Sequence, residues 1–254
     1  MEFLKICLIV CPLVFLGSFV DSIAGGGGII TLPAYLLAGL PIHTAAGTNK
    51  LVALSGSVTA SVNYLRSGNV VIRIALAAAL GSLVGAVIGT KLALFIPEDT
   101  LELIMMIVLP VVAVFLSFRR DFGVNEKTRK LSAPMESITA LAIGFVIGCY
   151  DGLIGPGTGT FLMLCFSGLL GLDLLVSGGC AKIANMASNV ASGIVFIFNG
   201  KAMYTILIPA ALCSIAGGFL GSRFAIKGGS KRIRKVMFLV LGLLFVKMIY
   251  EYLF

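Results

Sequence analysis

The chain has 254 residues, of which 59% are hydrophobic and 12% are charged, and its formal net charge at pH 7 is +8. Soluble domains carry about 25% charged residues, so this composition excludes a water-facing globule. It also argues against nucleic-acid binding, because the cationic residues cluster mostly in two connectors, 119–130 and 223–235. Basic connectors beside apolar segments are typical of cytoplasmic loops. We therefore predict an all-α integral protein of the bacterial inner membrane, surrounded by lipid.

Ten apolar segments follow one another along the chain, and we predict a helix for each. They lie near 3–20, 29–40, 44–65, 71–92, 100–118, 135–150, 157–170, 175–198, 202–222 and 236–254. A helix needs roughly 17–25 residues to cross a bilayer, so the segments 29–40 and 157–170 are too short to cross comfortably. We predict that these two are either re-entrant hairpins or parts of broken helices near the midplane, and the sequence leaves both alternatives open.

A glycine-rich break precedes each short segment. Four consecutive glycines cannot hold a stable helix, and Pro156 interrupts the second break. Irregular backbone at membrane depth is tolerated only inside protein or beside a water-filled cavity. The helix beyond such a break presents its positive dipole end to an anion, although the glycines could instead serve only to let two helices cross closely. We predict a substrate-binding backbone made of Gly25, Gly26, Gly27, Gly28, Gly155, Gly157 and Thr158.

An aspartate precedes each break, Asp21 in the first case and Asp151 in the second. Carboxylates at membrane depth are costly and are functional candidates by default. These two would either exchange a proton as the site changes its access, or accept hydrogen bonds from the freed backbone of the break. The sequence does not distinguish proton coupling from helix capping.

A lysine lies near the start of two of the longer segments, Lys50 in one and Lys182 in the other. A lysine in this position either extends to the membrane interface or turns inward towards an anion. Its repetition in both halves of the chain strengthens the second alternative. We predict that Lys50 and Lys182 supply positive charge to a solute, with Asn49, Asn185 and Asn189 as its hydrogen-bonding partners.

The chain also resembles itself. Lys50 matches Lys182 at an offset of 132 residues, and Asp21 matches Asp151 at an offset of 130. Paired charges within apolar segments rarely match by chance, so we predict repeat 1 at 1–118, a basic cytoplasmic linker at 119–134 and repeat 2 at 135–254. Each repeat would hold about five helical segments. The loop charges place 66–73 inside and the acidic turn at 98–99 outside, which predicts two repeats of inverted topology.

Other residue types that carry chemistry give weaker signals. His43 is the only histidine, and we predict that it is a solvated loop residue at the outer surface. The six cysteines show no metal or redox spacing and are predicted to be small buried hydrophobes. The sequence contains no Ser/His/Asp arrangement, phosphate loop or metal motif. We therefore predict no enzyme, no cofactor and no metal.

The motifs at 19–28, 31–33, 47–50, 150–159 and 182–189 resemble those of the TauE/SafE family of membrane permeases. The resemblance covers nearly the whole chain and implies a polytopic transporter. Members of this family are linked to sulfite, sulfonates, thiosulfate-related compounds and other organic anions.

The favoured hypothesis is therefore a secondary transporter of a small anion, which works by alternating access and is coupled to protons. A sulfur-containing anion follows from the resemblance alone. The alternatives are a passive anion channel and a membrane assembly factor that transports nothing. The sequence leaves open the direction of transport, the coupling ion and whether the chain forms a homo-oligomer.

Overall fold

The computed structural model describes residues 2–101, 103, 104, 107 and 131–253. Within these residues the secondary structure is helical and contains no strand. The helices, in chain order, are α1 (Glu2–Ala24), α2 (Gly28–Leu37), α3 (Ile42–Arg66), α4 (Ile72–Phe95), α5 (Ala133–Leu153), α6 (Thr158–Leu170), α7 (Leu174–Phe198) and α8 (Tyr204–Leu253). Five stretches among them are long and apolar enough to cross a membrane: Phe3–Ala24, Ile72–Phe95, Ala133–Leu153, Leu174–Phe198 and Tyr204–Ile233. The prediction of an all-α multi-pass membrane protein is confirmed.

The boundaries predicted from apolar segments agree closely with these helices. The two short segments are the separate helices α2 and α6, and each begins directly after its glycine-rich break. Most of the predicted segment 100–118 and of the linker 119–134 lies outside the described residues.

The predicted connector at 223–235 is a kink and not an extended loop, because α8 consists of two helices that meet at Gly229, with φ 62° and ψ −170°. Lysine and arginine are good helix formers, so a basic cluster locates a segment relative to the membrane without breaking its helix. Local packing supports the helix here, since the Arg223 guanidinium lies 4.1 Å from the centre of the Phe219 ring.

Helices from the two halves of the chain pack through glycines. α4 packs along α5, and a Cβ atom added to Gly85 would lie 2.2 Å from the Phe145 carbonyl oxygen. α1 packs along α8 in the same manner, and a Cβ atom added to Gly217 would lie 2.4 Å from the Phe15 carbonyl oxygen. Only glycine allows the backbones to approach this closely. In both contacts the first helix of one half packs against the last long helix of the other half.

The contacts also give the helix directions. Gly85 lies against Phe145 and Gly89 against Cys149, so α4 and α5 run parallel. α3 and α7 run antiparallel, because Leu51 lies beside Gly193 whereas Ser57 lies beside Asn185 and Asn189. α3 and α7 carry the two lysines, and their polar faces meet at Ser57 and Asn189 in the centre of the molecule.

Polarity is inverted relative to a soluble protein. Large aliphatic side chains such as Leu80, Ile208 and Leu212 are exposed on the helix surfaces, whereas serine, asparagine and lysine side chains are buried between helices. This distribution suits a lipid surround, where buried polar groups must find partners inside the protein. The polar interior leads directly to the glycine breaks.

Candidate functional site

The two glycine breaks lie in direct contact. Gly25 has φ 75°, and a Cβ atom there would lie 2.2 Å from the backbone nitrogen of Thr160. The Thr160 hydroxyl donates a hydrogen bond to the carbonyl oxygen of Ala24 at 2.9 Å, and Gly28 packs against Pro156. Positive φ and contact with a second backbone both require glycine at position 25. The breaks therefore permit close packing and also bring the first turns of α2 and α6 together.

Asp21 lies at the end of α1 and forms an ion pair with Lys182 of α7, with 2.5 Å between Oδ2 and Nζ. Its other oxygen, Oδ1, accepts a hydrogen bond from the backbone N–H of Gly27 at 3.2 Å. Asp21 therefore bonds the freed backbone of the break, as the capping alternative predicted, and also neutralises a buried lysine.

Asp151 occupies the matching position in α5 and forms an ion pair with Lys50 of α3, with 2.7 Å between Oδ2 and Nζ. The hydroxyl of Ser188 donates a second hydrogen bond to Oδ2 at 2.6 Å. Both donors of Asp151 are side chains of long helices. The same carboxylate position in the two breaks thus has different partners.

Both lysines are buried, so the alternative in which they extend to the membrane interface is wrong. Each ion pair joins a residue before the basic linker to one after it: Asp21 to Lys182, and Asp151 to Lys50. With all four groups ionised their charges cancel. Charges taken out of water are stable only when they are paired in this way. The sequence interpretation assumed that the lysines present free positive charge to a solute. In the structure both lysines are instead neutralised by aspartates.

A polar cavity of about 50 Å³ lies between the breaks and the polar faces of α3 and α7. A cavity needs roughly 10–15 Å³ to hold one water molecule, so this one has room for only a few water-sized groups. Of the residues predicted from sequence it is lined by Asp21, Gly26, Gly27, Gly28, Asn49, Lys50, Asp151, Gly155, Gly157, Thr158, Asn185 and Asn189. Gly25 and Lys182 are absent from the lining, because Gly25 packs on Thr160 and Lys182 is covered by protein.

The cavity lining also contains hydroxyl groups that sequence analysis did not select. Ser18, Ser22, Thr31 and Ser57 all contribute to it. The spacing could have revealed two of them, because Ser18 and Ser22 lie three residues before and one residue after Asp21, on the helix turns that precede the break. The lining is therefore rich in hydroxyl and amide groups as well as backbone.

Two asparagines, Asn185 and Asn189, line the cavity on the side of α7. Asn189 Nδ2 lies 3.4 Å from Asn185 Oδ1 and 3.5 Å from Ser57 Oγ. These distances are at the long end of the hydrogen-bond range. Amide groups that are held this loosely can exchange their present partners for a solute oxygen at little cost.

The prediction for His43 is wrong. His43 is buried in the first turn of α3, and its Nε2 atom lies 3.1 Å from the carbonyl oxygen of Ile96. The end of α4 covers the turn, a tertiary contact that a local sequence pattern cannot reveal.

The chain matches known membrane proteins over most of its length. The family described as "Sulfite exporter TauE/SafE" matches residues 10–248. The "Probable membrane transporter protein ORF9" of Sinorhizobium sp. is 38% identical over 226 residues, which cover 89% of this chain and 85% of that protein. The "Probable membrane transporter protein" of Haemophilus influenzae is 32% identical, over 93% of this chain and 92% of that protein.

The "Probable membrane transporter protein YfcA" of Escherichia coli K12 is 31% identical, over 93% of this chain and 87% of that protein. No solved structure gives a significant match. The motifs, the apolar helices and these relatives agree, and the chain belongs to the TauE/SafE family of multi-pass membrane transporters.

Proposed function

We propose that this transporter carries a small anion by alternating access, coupled to protons, and binds it in the cavity between the two glycine breaks. The observation that carries the proposal is the cavity itself, which brings together two helix N-termini, a row of hydroxyl and amide groups and two aspartate–lysine pairs. Helix N-termini favour anions through their N–H groups and their dipoles.

The packing of the helices supports alternating access. We propose that residues 1–118 and 135–254 are inverted repeats joined by the linker 119–134. The antiparallel course of α3 and α7 supports this, as do the equivalent glycine contacts of Gly85 and Gly217. Transporters with inverted repeats bind their solutes at the repeat interface near the midplane, and we propose that the contact of Ser57 with Asn189 lies at this interface.

The cavity is asymmetric, as alternating access requires. Its lining on α3 extends from Ala46 to Ser57, but on α7 it includes only Asn185 and Asn189. In a symmetric arrangement Lys182 would line the cavity as Lys50 does, but the Lys182 side chain is covered by protein. We interpret this structure as one of two exchange-related states, and in the other state the α7 residues that match 46–57 would line the cavity.

The size of the cavity favours a small solute. A volume of about 50 Å³ has room for a compact oxyanion but not for a large organic anion. The family description names a sulfite exporter, and on that ground we propose a small sulfur-containing anion such as sulfite or a short sulfonate. The two buried ion pairs beside the cavity also argue against a passive channel, which needs a continuous polar path with weak sites.

Flux in proteoliposomes tests this function. The protein is reconstituted and the uptake of sulfite, sulfoacetate and, as a zwitterionic comparison, taurine is measured with and without a pH gradient. A transporter gives saturable uptake and accumulates at least one of the anions above its external concentration. A channel only equilibrates the anion, and an assembly factor gives the flux of empty liposomes, so either result would refute the proposal.

Asn189→Leu removes the central amide without changing any charge and is expected to lower the uptake of the transported anion. Ile208→Val, at an exposed aliphatic position on the outer surface of α8, is the matched control and is expected to transport as the wild type does.

A further inference from the structure

The four charged side chains of the site differ in their exposure. The side chain of Asp21 is 22% exposed, whereas those of Lys182, Asp151 and Lys50 are 1%, 3% and 8% exposed. Asp21 and Asp151 both line the cavity, but Asp21 is the more exposed of the two carboxylates, so a proton from water reaches it more directly.

The sequence itself adds a second asymmetry. Ser188 donates to Asp151 at 2.6 Å, but the residue that matches Ser188 at the offset of 132 is Gly56, which has no hydroxyl. Among the described residues each carboxylate therefore has a lysine and one further donor, which is a side chain of α7 for Asp151 and the backbone N–H of Gly27 for Asp21. The second donor of Asp21 thus belongs to the glycine break itself, whereas both donors of Asp151 lie on long helices.

Charge balance makes this difference matter. The site is neutral when both pairs are ionised, so an anion that enters it brings an uncompensated negative charge into a region poor in water. The cost of such a charge is high unless an opposite charge compensates it. Protonation of Asp21 would leave the ammonium group of Lys182 uncompensated and would make the site positive by one unit.

Lys182 can act on the cavity although it does not line it. A Cβ atom added to Gly159, a cavity residue, would lie 2.8 Å from Gly25 Cα, 3.6 Å from Asp21 Oδ1 and 3.7 Å from Lys182 Nζ. The ion pair therefore lies directly behind the glycine backbone that forms this part of the cavity wall. The charge of Lys182 would be felt by an anion placed against Gly159.

Resting on the proposed anion transport, we propose that Asp21 is the proton acceptor of this transporter and that Lys182 is the cation that its protonation releases. One proton passes from cavity water to the Asp21 carboxylate as one anion enters, and both leave when the ion pair with Lys182 re-forms. Asp151 stays ionised as the fixed partner of Lys50.

The ionisable groups that face Asp21 are consistent with this role. They include Lys182 of α7, the hydroxyl of Tyr64 of α3, which donates to the Ser22 carbonyl oxygen at 3.0 Å, and, across the cavity, the Lys50–Asp151 pair. α8, which also packs against α1, contributes an aromatic contact between Phe224 and Phe19 at this end. Lys182 is therefore the cation whose balance a proton on Asp21 changes directly.

The test counts protons and anions together. Proteoliposomes that enclose a pH-sensitive dye are supplied with methanesulfonate, a short sulfonate whose single negative charge does not change near neutral pH. Anion uptake and internal pH are recorded for wild type, Asp21→Asn and Lys50→Met/Asp151→Asn, the last of which removes the other ion pair and leaves the net charge of the site unchanged. Wild type is expected to move one proton with each anion, and Lys50→Met/Asp151→Asn should keep that ratio at a lower rate of uptake, whereas Asp21→Asn should exchange the anion with loss of the proton movement. Proton movement that persists in Asp21→Asn, or that Lys50→Met/Asp151→Asn alone abolishes, would overturn the assignment. Wild type that carries the anion without protons would do the same and leave anion transport standing.

A second measurement needs no solute. Acid titration of the detergent-purified protein, followed through the infrared band of protonated carboxyl groups, is expected to lose one component in Asp21→Asn but not in Asp151→Asn before the protein unfolds. The reverse result overturns the assignment whether or not methanesulfonate is a solute. If Asp21→Asn does not fold, the double variant Asp21→Asn/Lys182→Gln takes its place, because it leaves no unpaired charge at this pair. Its titration should lack the same infrared component.

Discussion

The Lys50–Asp151 pair offers the sharpest test of the buried charge network. Lys50→Met removes the cation but keeps the buried carboxylate, which retains only the Ser188 hydroxyl as a donor. Breaking a buried ion pair by removing one partner costs about 3–5 kcal/mol, because an uncompensated charge is left inside the protein. Lys50→Met/Asp151→Asn removes both charges and lets the asparagine keep the bond to Ser188. We expect the double variant to recover to within about 1 kcal/mol of wild type, the net value of one hydrogen bond.

Equilibrium unfolding in mixed micelles measures this difference, with far-ultraviolet circular dichroism as the signal because the chain has no tryptophan. The pH provides a further check. Protonation removes the unpaired charge of Asp151, so Lys50→Met should regain stability as the pH falls, whereas the double variant should not. A single variant as stable as the double variant at neutral pH, or a loss that does not change with pH, would refute the buried ion pair.

Three further predictions concern contacts of different kinds. Lys201→Met breaks a half-exposed pair, Lys201 Nζ to Glu98 Oε1 at 3.4 Å, and should change the free energy of unfolding by less than about 1 kcal/mol in the same assay. Gly85→Leu should prevent the close packing of α4 on α5, seen as loss of the monodisperse peak in size-exclusion chromatography, whereas Leu80→Val at an exposed position of α4 should elute as wild type. Thr160→Val removes the hydroxyl that joins the two breaks and should cost about 1 kcal/mol of stability and reduce anion uptake; unchanged uptake would show that the breaks do not depend on this bond.

The helices and the breaks were predictable because their signals are local. Apolar length located α1, α4, α5 and α7, and the glycines at 25–28 and 155–159 showed where helices must stop. Local patterns did not give the extent of the connector at 223–235, where Lys and Arg support the helices on both sides of Gly229. They also failed at His43, which the end of α4 covers.

The pairing of the charges could not be derived from one local pattern. Asp21 and Lys182 lie far apart in the sequence, and so do Lys50 and Asp151, so each charge was first interpreted by itself. One signal was present: each half contains one aspartate and one lysine at matching positions, and equal numbers of opposite charges within apolar segments indicate compensation. Which aspartate meets which lysine still depends on which helices of the two halves pack together, and the sequence does not show this.

The crossed arrangement of the pairs has a mechanical consequence for the proposed transporter. Each pair joins one half of the chain to the other, so any movement of the halves against each other changes the distance within both pairs. An empty, deprotonated site holds both pairs closed and resists that movement. A proton on Asp21 opens the pair with Lys182, and a bound anion then compensates the charge of Lys182. The two halves can therefore move against each other when proton and anion are both bound, but not when only one of them is bound. Coupling in such a protein would follow from where the charges are placed, and it needs no separate gate.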